Sequence, residues 1–250
     1  MQFRPTIKLT LTLIILTTLF TRLGMWQMER KAEKQELFDR FENAPLMQVE
    51  QAIRQEELFA RAEAFGRYDA KRSILLDNKI WQGRAGVHVL TPFILADGTT
   101  LLVNRGWLPL PPDRSALPEV PGDEFPRSIS GRLNKLPTEG PRLGDADVLL
   151  ADSWPQLVTY FDTKTVETAL AVKLAPWQLQ LEAADDSGFE GRQWEAAVME
   201  PKVHGAYAVQ WFSLAIATII IWITLGVRRG QLLRQETRTG GDTRSGANKE

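Results

Sequence analysis

No cysteine occurs among the 250 residues, and there are only two histidines, His88 and His204. The missing thiols exclude a disulfide framework, a Cys-based zinc or copper site and thioether attachment of haem. They leave the compartment open, because a domain of ordinary size buries enough core to fold outside the cytoplasm without disulfides. Charge of one sign is lacking too: 30 Lys and Arg against 31 Asp and Glu give a formal net charge of −1. No basic stripe marks a nucleic-acid surface. The chain also lacks a nucleophile elbow, a phosphate-binding glycine loop, a His-x-x-x-His pair and a recognisable pair of acid and base carboxylates, so an enzyme is not expected.

Two long apolar runs are present, one near each end. The first, residues 7–26, has an apolar-plus-Thr centre over residues 9–21 that is short for a span. A cleaved signal peptide is the alternative, but no small-x-small cleavage site follows it. Arg22 suits a snorkelling position and Trp26 an aromatic belt, so an uncleaved anchor is favoured. The second run, residues 206–227, carries no charge and is long enough to cross a bilayer, with Trp211 and Trp222 as interface anchors. Arg4, Lys8, Arg228, Arg229, Arg234 and Arg238 flank the outer ends of the runs; Arg22, Arg30, Lys31, Lys34 and Lys202 flank the inner ends. That balance weakly favours cytoplasmic termini. The expected order is a cytoplasmic N-terminus (1–6), transmembrane helix 1 (7–26), a periplasmic α+β domain (27–205), transmembrane helix 2 (206–227) and a cytoplasmic, largely disordered tail (228–250). The last dozen residues carry the clearest disorder signal.

The middle reads as a mainly antiparallel β domain with a few helices. "QMERKAEKQELFDRFENA" continues the first helix out of the membrane, "VEQAIRQEELF" makes a short helix, and "TKTVETALAV" a third. "SILLDNKI", "GVHVLTPFIL", "TTLLVNRGWLPL", "RSISGRL", "DVLLAD", "QLVTYFD" and "PWQLQLEA" are strand-like. Asp97-Gly98 predicts a hairpin turn, and residues 109–126 a proline-rich loop. In Asn104-Arg105-Gly106-Trp107 the glycine permits a bend at a strand end, which the asparagine closes on backbone. Alternation sets His88 on the face opposite Val87 and Val89, as a half-buried histidine with a backbone partner.

His204 stands at the mouth of the second apolar run. Offsets of three and seven set Tyr207 and Trp211 on its helical face, and Gly205, Ala206 and Ala208 are small enough for a close neighbour. If the two spans are antiparallel, Trp26 and Gln27 lie level with His204. A neutral imidazole is a good axial ligand for haem iron; histidine, tyrosine and tryptophan are equally ordinary interface residues. Arg105 pairs well with a carboxylate such as a haem propionate, with Lys202 and Arg30 as competitors.

The ordered set "GMWQMER" (24–30), "GRYD" (66–69), "LLDNKIWQGRAGVHVLTPF" (75–93), "LLVNRGWLP" (101–109), "GRLNKLP" (131–137) and "HGAYAVQWF" (204–212) resembles the Surfeit-type family of cytochrome c oxidase assembly factors. The chain departs from the family pattern at Lys79, Val87 and Val203. The resemblance implies a bacterial inner-membrane protein that helps build a haem-copper oxidase. It would bind haem a without covalent attachment and assist its insertion into oxidase subunit I, alongside other assembly factors. His204 is the implied iron ligand by position. The competing readings are an oxidase scaffold that binds no cofactor and a two-span extracytoplasmic sensor; about two dozen residues after the second span are too few for a sensor's output domain.

Overall fold

The structure is a computed structural model and describes residues 3–111, 113, 116–138, 149–150, 152–196 and 199–246, with side chains as far as Gln235. The chain divides into two compact units, Met1–Phe38 with Ala197–Glu250, and Asp39–Ala196.

The first unit is built on two helices. Helix α1 runs without a break over Ile7–Glu42, so the charged segment after the apolar run does continue the helix. Helix α4 covers Pro201–Gly246. Both are long and apolar enough to cross a membrane, with best-window mean hydropathies of 1.5 and 1.9. Helix α4 is described as far as Gly246, and 247–250 lie outside the described residues. Extending an existing helix adds one hydrogen bond per residue and needs no new nucleus.

The second unit is a β domain. Its strands are β1 (Leu46–Gln48), β2 (Arg61–Tyr68), β3 (Ile74–Trp81), β4 (Arg84–Leu95), β5 (Thr100–Pro109), β6 (Arg127–Lys135), β7 (Gln156–Val158) and β8 (Leu174–Leu181), with the short helices α2 (Val49–Gln55) and α3 (Thr163–Leu170). The order β2-β6-β8-β5-β4 closes on itself through β2–β4, giving a five-stranded barrel, and β3, β7 and β1 extend the sheet beyond it. Closure removes open edges from these five strands. Among the described residues five pairings are antiparallel, but β1–β2, β3–β7 and β5–β8 are parallel, so the sheet is mixed. The "DVLLAD" expectation falls largely outside the described residues, and Leu149 and Leu150 are not in a strand.

The Asp97-Gly98 turn and the Gly106 bend behave as the sequence predicts. β4 and β5 turn at Asp97-Gly98, where Gly98 has φ +85° and the Thr99 N–H donates to Asp97 Oδ1 at 2.8 Å. Asp162 caps α3 by accepting from the Lys164 and Thr165 N–H groups. Gly106 bends β5 at φ +110°, and its N–H donates to Asn104 Oδ1 at 3.2 Å. Strand β2 alternates exposed and buried residues along its whole length. Its inward Ala62, Ala64 and Tyr68 join Phe93, Leu101, Val103, Ile129, Leu133, Leu179 and Leu181 in the largest core. β5 is buried on both faces, since Leu102 on its opposite side packs into a separate cluster with Ile74, Leu90 and the α3 residues Val166 and Leu170.

His88 is half-buried between the fully buried Val87 and Val89, as alternation requires. Its partner is a side chain rather than backbone: Asn104 Nδ2 lies 3.4 Å from Nδ1. The reason is the β4–β5 register shift between His88 and Leu90, which offsets the strands and brings Asn104 alongside the ring. Burial, and then the Lys79 charge, lower the His88 pKa to about 4.

Two outcomes follow from this architecture. At the barrel seam, a Cβ on Gly66 would lie 2.2 Å from the Ile94 carbonyl oxygen; Gly66→Ala should destabilise the protein by roughly 2–4 kcal/mol, read as a lower denaturant midpoint. The depressed His88 pKa means that the folded state binds fewer protons than the unfolded state between pH ~6.5 and ~4, so stability falls as pH drops through that window, by about 3 kcal/mol at most. His88→Gln should remove that part of the acid sensitivity, measured as unfolding free energy against pH.

Candidate functional site

Within the helical unit α1 and α4 pack antiparallel. The Arg4 N–H donates to the Gly226 carbonyl at 3.1 Å, and Trp222 Nε1–H donates to Thr10 Oγ1 at 3.2 Å. Further along, Phe20 stacks on Trp211 with ring centroids 5.9 Å apart. Gly24 lies under the Phe212 ring, where an added Cβ would come within 2.7 Å of the ring carbons. A side chain as small as hydrogen therefore sets how closely the helices approach here.

One turn beyond Gly24, Gln27 is buried and its Oε1 lies 2.8 Å from His204 Nδ1. This is the level pairing that antiparallel spans predict. An amide oxygen only accepts, so Nδ1 carries the proton and Nε2 keeps its lone pair. His204 Nε2 is buried and has no hydrogen-bond partner. An orphaned buried nitrogen costs about 1–3 kcal/mol unless something meets it. The arrangement is also the one that metal-ligating histidines adopt, with one ring nitrogen donating to an oxygen acceptor that fixes the ring while the other is left for the metal. The residues present thus fit an axial haem ligand. The orienting partner comes from α1, so the departure at Val203 leaves it untouched.

The face around His204 differs from the expected one. Ala208 and Ala215 are buried, while Tyr207 is 46% exposed. The packed stripe runs His204, Ala208, Trp211, Ala215. In an antiparallel pair with 3.6 residues per turn the contact follows spacings of four, three and four, and an offset of three rotates Tyr207 to the edge. Trp26 is likewise exposed and carries Arg30 over its ring at 5.8 Å. Arg30 pairs with Glu33 and Lys202 with Glu200. Lys31, which the sequence does not single out, runs along Gly205: a Cβ there would meet its Cδ at 3.5 Å and its Nζ at 3.6 Å.

Arg105 belongs to the β domain and is buried in it. Nε–H donates to the Ser187 carbonyl at 2.7 Å and Nη2–H to the Pro121 carbonyl at 2.9 Å. Its guanidinium lies over Tyr68 and Phe189, 4.9 and 4.6 Å from the ring centroids. The Tyr68 hydroxyl meets Ser187 Oγ at 3.1 Å. Arg105 therefore ties two loops to the barrel. Among the described residues no group of three or more His, Asp or Glu side chains is placed to hold a metal ion.

Comparison with known proteins agrees with the motif order. A SURF1-like protein of Monosiga brevicollis is 26% identical over 231 residues, covering 83% of this chain and 84% of that protein. An uncharacterized SURF1-like protein of Mycobacterium tuberculosis is 26% identical over 220 residues, covering 84% and 79%. A SURF1-like protein of Rickettsia prowazekii is 24% identical over 227 residues, covering 84% and 87%. The family profile spans residues 14–216, taking in most of α1, the whole barrel and the His204 end of α4, and the chain belongs to the SURF1 family.

Proposed function

We propose that this protein is a two-span, non-catalytic assembly factor for a haem-copper (cytochrome c) oxidase, and that it holds haem a for insertion into oxidase subunit I. The family carries the assembly role; the observation that carries the haem role is His204, with Nδ1 fixed by Gln27 and Nε2 buried and unpaired. When bound, haem a would supply an iron centre, which the His204 imidazole would hold. The chain's own part is to hold one tautomer of His204 and to keep the packed faces of α1 and α4 water-poor. Gln27 orients the ring, and Ala208 and Gly24 keep the neighbouring surface narrow. Lys31, on the His204 side of α1, is the cation best placed in this unit to meet a propionate. Trp26 and Tyr207, both exposed, fit an aromatic belt.

The setting proposed is a bacterial inner membrane with the β domain in the periplasm. Supporting it are the two apolar helices and the slight excess of arginine at their outer ends. A scaffold that binds no cofactor is the alternative that the same frame permits.

The full chain, co-expressed with haem A synthesis and purified in detergent, should show a haem a absorption spectrum. His204→Ala should lose it, and Gln27→Leu should weaken haem retention by about 10–100-fold, as expected for loss of an orienting partner. A full haem complement in His204→Ala would remove the ligand assignment. Normal oxidase activity after deletion of the gene, in a strain with no second family copy, would remove the assembly role itself.

A further inference from the structure

A cavity of about 500 Å³ opens within the β domain. Lys79 and Trp81 line it from β3, His88 from β4, Asn104 from β5, and Trp194 from the segment after β8. Two irregularities aim these side chains. β3 shifts register against β4 between Leu76 and Lys79, with Asn78 at φ 59°, and β4 shifts against β5 between His88 and Leu90. Bulges re-aim side chains out of plain alternation, and here both fall beside a basic residue of one cavity.

The charge balance is as informative as the shape. Burial lowers the pKa of Lys79, and no carboxylate among the described residues offsets it. Burial also lowers the pKa of His88, and Lys79 lowers it further. Glu195 lines the cavity as well, but forms no ion pair with Lys79. Two basic groups thus share a partly desolvated space with no carboxylate of the described residues paired to Lys79, a setting that favours an entering anion. An amide nitrogen only donates, so Asn104 Nδ2 leaves His88 Nδ1 as acceptor and the ring proton on Nε2, available as a second donor. The indoles are fixed: Trp194 Nε1–H donates to the Leu181 carbonyl at 2.8 Å and meets His88 edge-on at 5.8 Å, while Trp81 packs on Trp107. The volume lies in the range of small-molecule sites.

We infer that this cavity binds a small organic acid, a carboxylate on a flat apolar body, with the carboxylate on Lys79 and His88 and the body against Trp81 and Trp194. The site is independent of the haem proposal, since it uses none of the same residues.

The test exploits the two histidines, His88 and His204. In the full chain in detergent, selective histidine ring labelling gives two NMR signals, and His204 serves as the internal control. Benzoate is the probe and benzamide its neutral match. Benzoate should displace the His88 signal saturably and raise its titration midpoint, because a nearby anion favours the imidazolium. Benzamide should bind at least ~10-fold more weakly. Lys79→Met should abolish the benzoate response, and Lys79→Arg should keep part of it. Equal responses to the two probes, a His88 signal unmoved by millimolar benzoate, or a full response in Lys79→Met would overturn the inference. The two-probe comparison on the unaltered chain holds even where a variant fails to fold, and loss of haem binding at His204 leaves it unaffected.

Discussion

The seam between β2 and β4 governs the β domain. Without it the strands form an open sheet; with it five of them close, and the inward residues of β2 meet those of β4, β5, β6 and β8 in one core. The seam is short, pairing Gly66 with Leu95, Arg67 with Ile94 and Tyr68 with Phe93. Gly66 makes it possible, because any Cβ there would overlap the Ile94 carbonyl. Tyr68 then meets Phe93 edge-to-face at 4.9 Å, and its ring and hydroxyl receive Arg105 and Ser187. The loop that carries Ser187 and Phe189 is thereby fixed to the barrel wall.

Much of this was legible in the sequence wherever the determinant is local. The Asp97-Gly98 turn, the Asn104–Gly106 bend and the two apolar helices each follow from neighbouring residues. Strand β2 was not legible, although it alternates along its whole length. Its inward positions are Ala62, Ala64, Gly66 and Tyr68, and the alanines and glycine carry little strand signal. Closure pairs residues 25–29 positions apart and the parallel β5–β8 seam residues 74–76 apart, which no local pattern specifies.

The helical unit shows the same division. That Gln27 stands level with His204 follows from antiparallel spans and residue counting. That Tyr207 faces outward does not, because the choice between offsets of three and four depends on how the partner helix crosses. The tautomer of His204, and with it the orphaned Nε2, becomes visible only when the Gln27 oxygen is placed at 2.8 Å. Arg105 read as a carboxylate partner because the two backbone carbonyls that hold its Nε and Nη2, from Ser187 and Pro121, are distant in sequence.

The position of β8 in the barrel bears on biogenesis. β8 supplies two of the five seams, to β5 and to β6, yet it is the last strand made. During synthesis β5 and β6 wait with unsatisfied edges over residues 136–173, until β8 follows. Nineteen residues, 182–200, then separate the end of β8 from the start of α4. The nascent barrel therefore stays open until β8 is made, and the second apolar helix follows it directly in the order of elements.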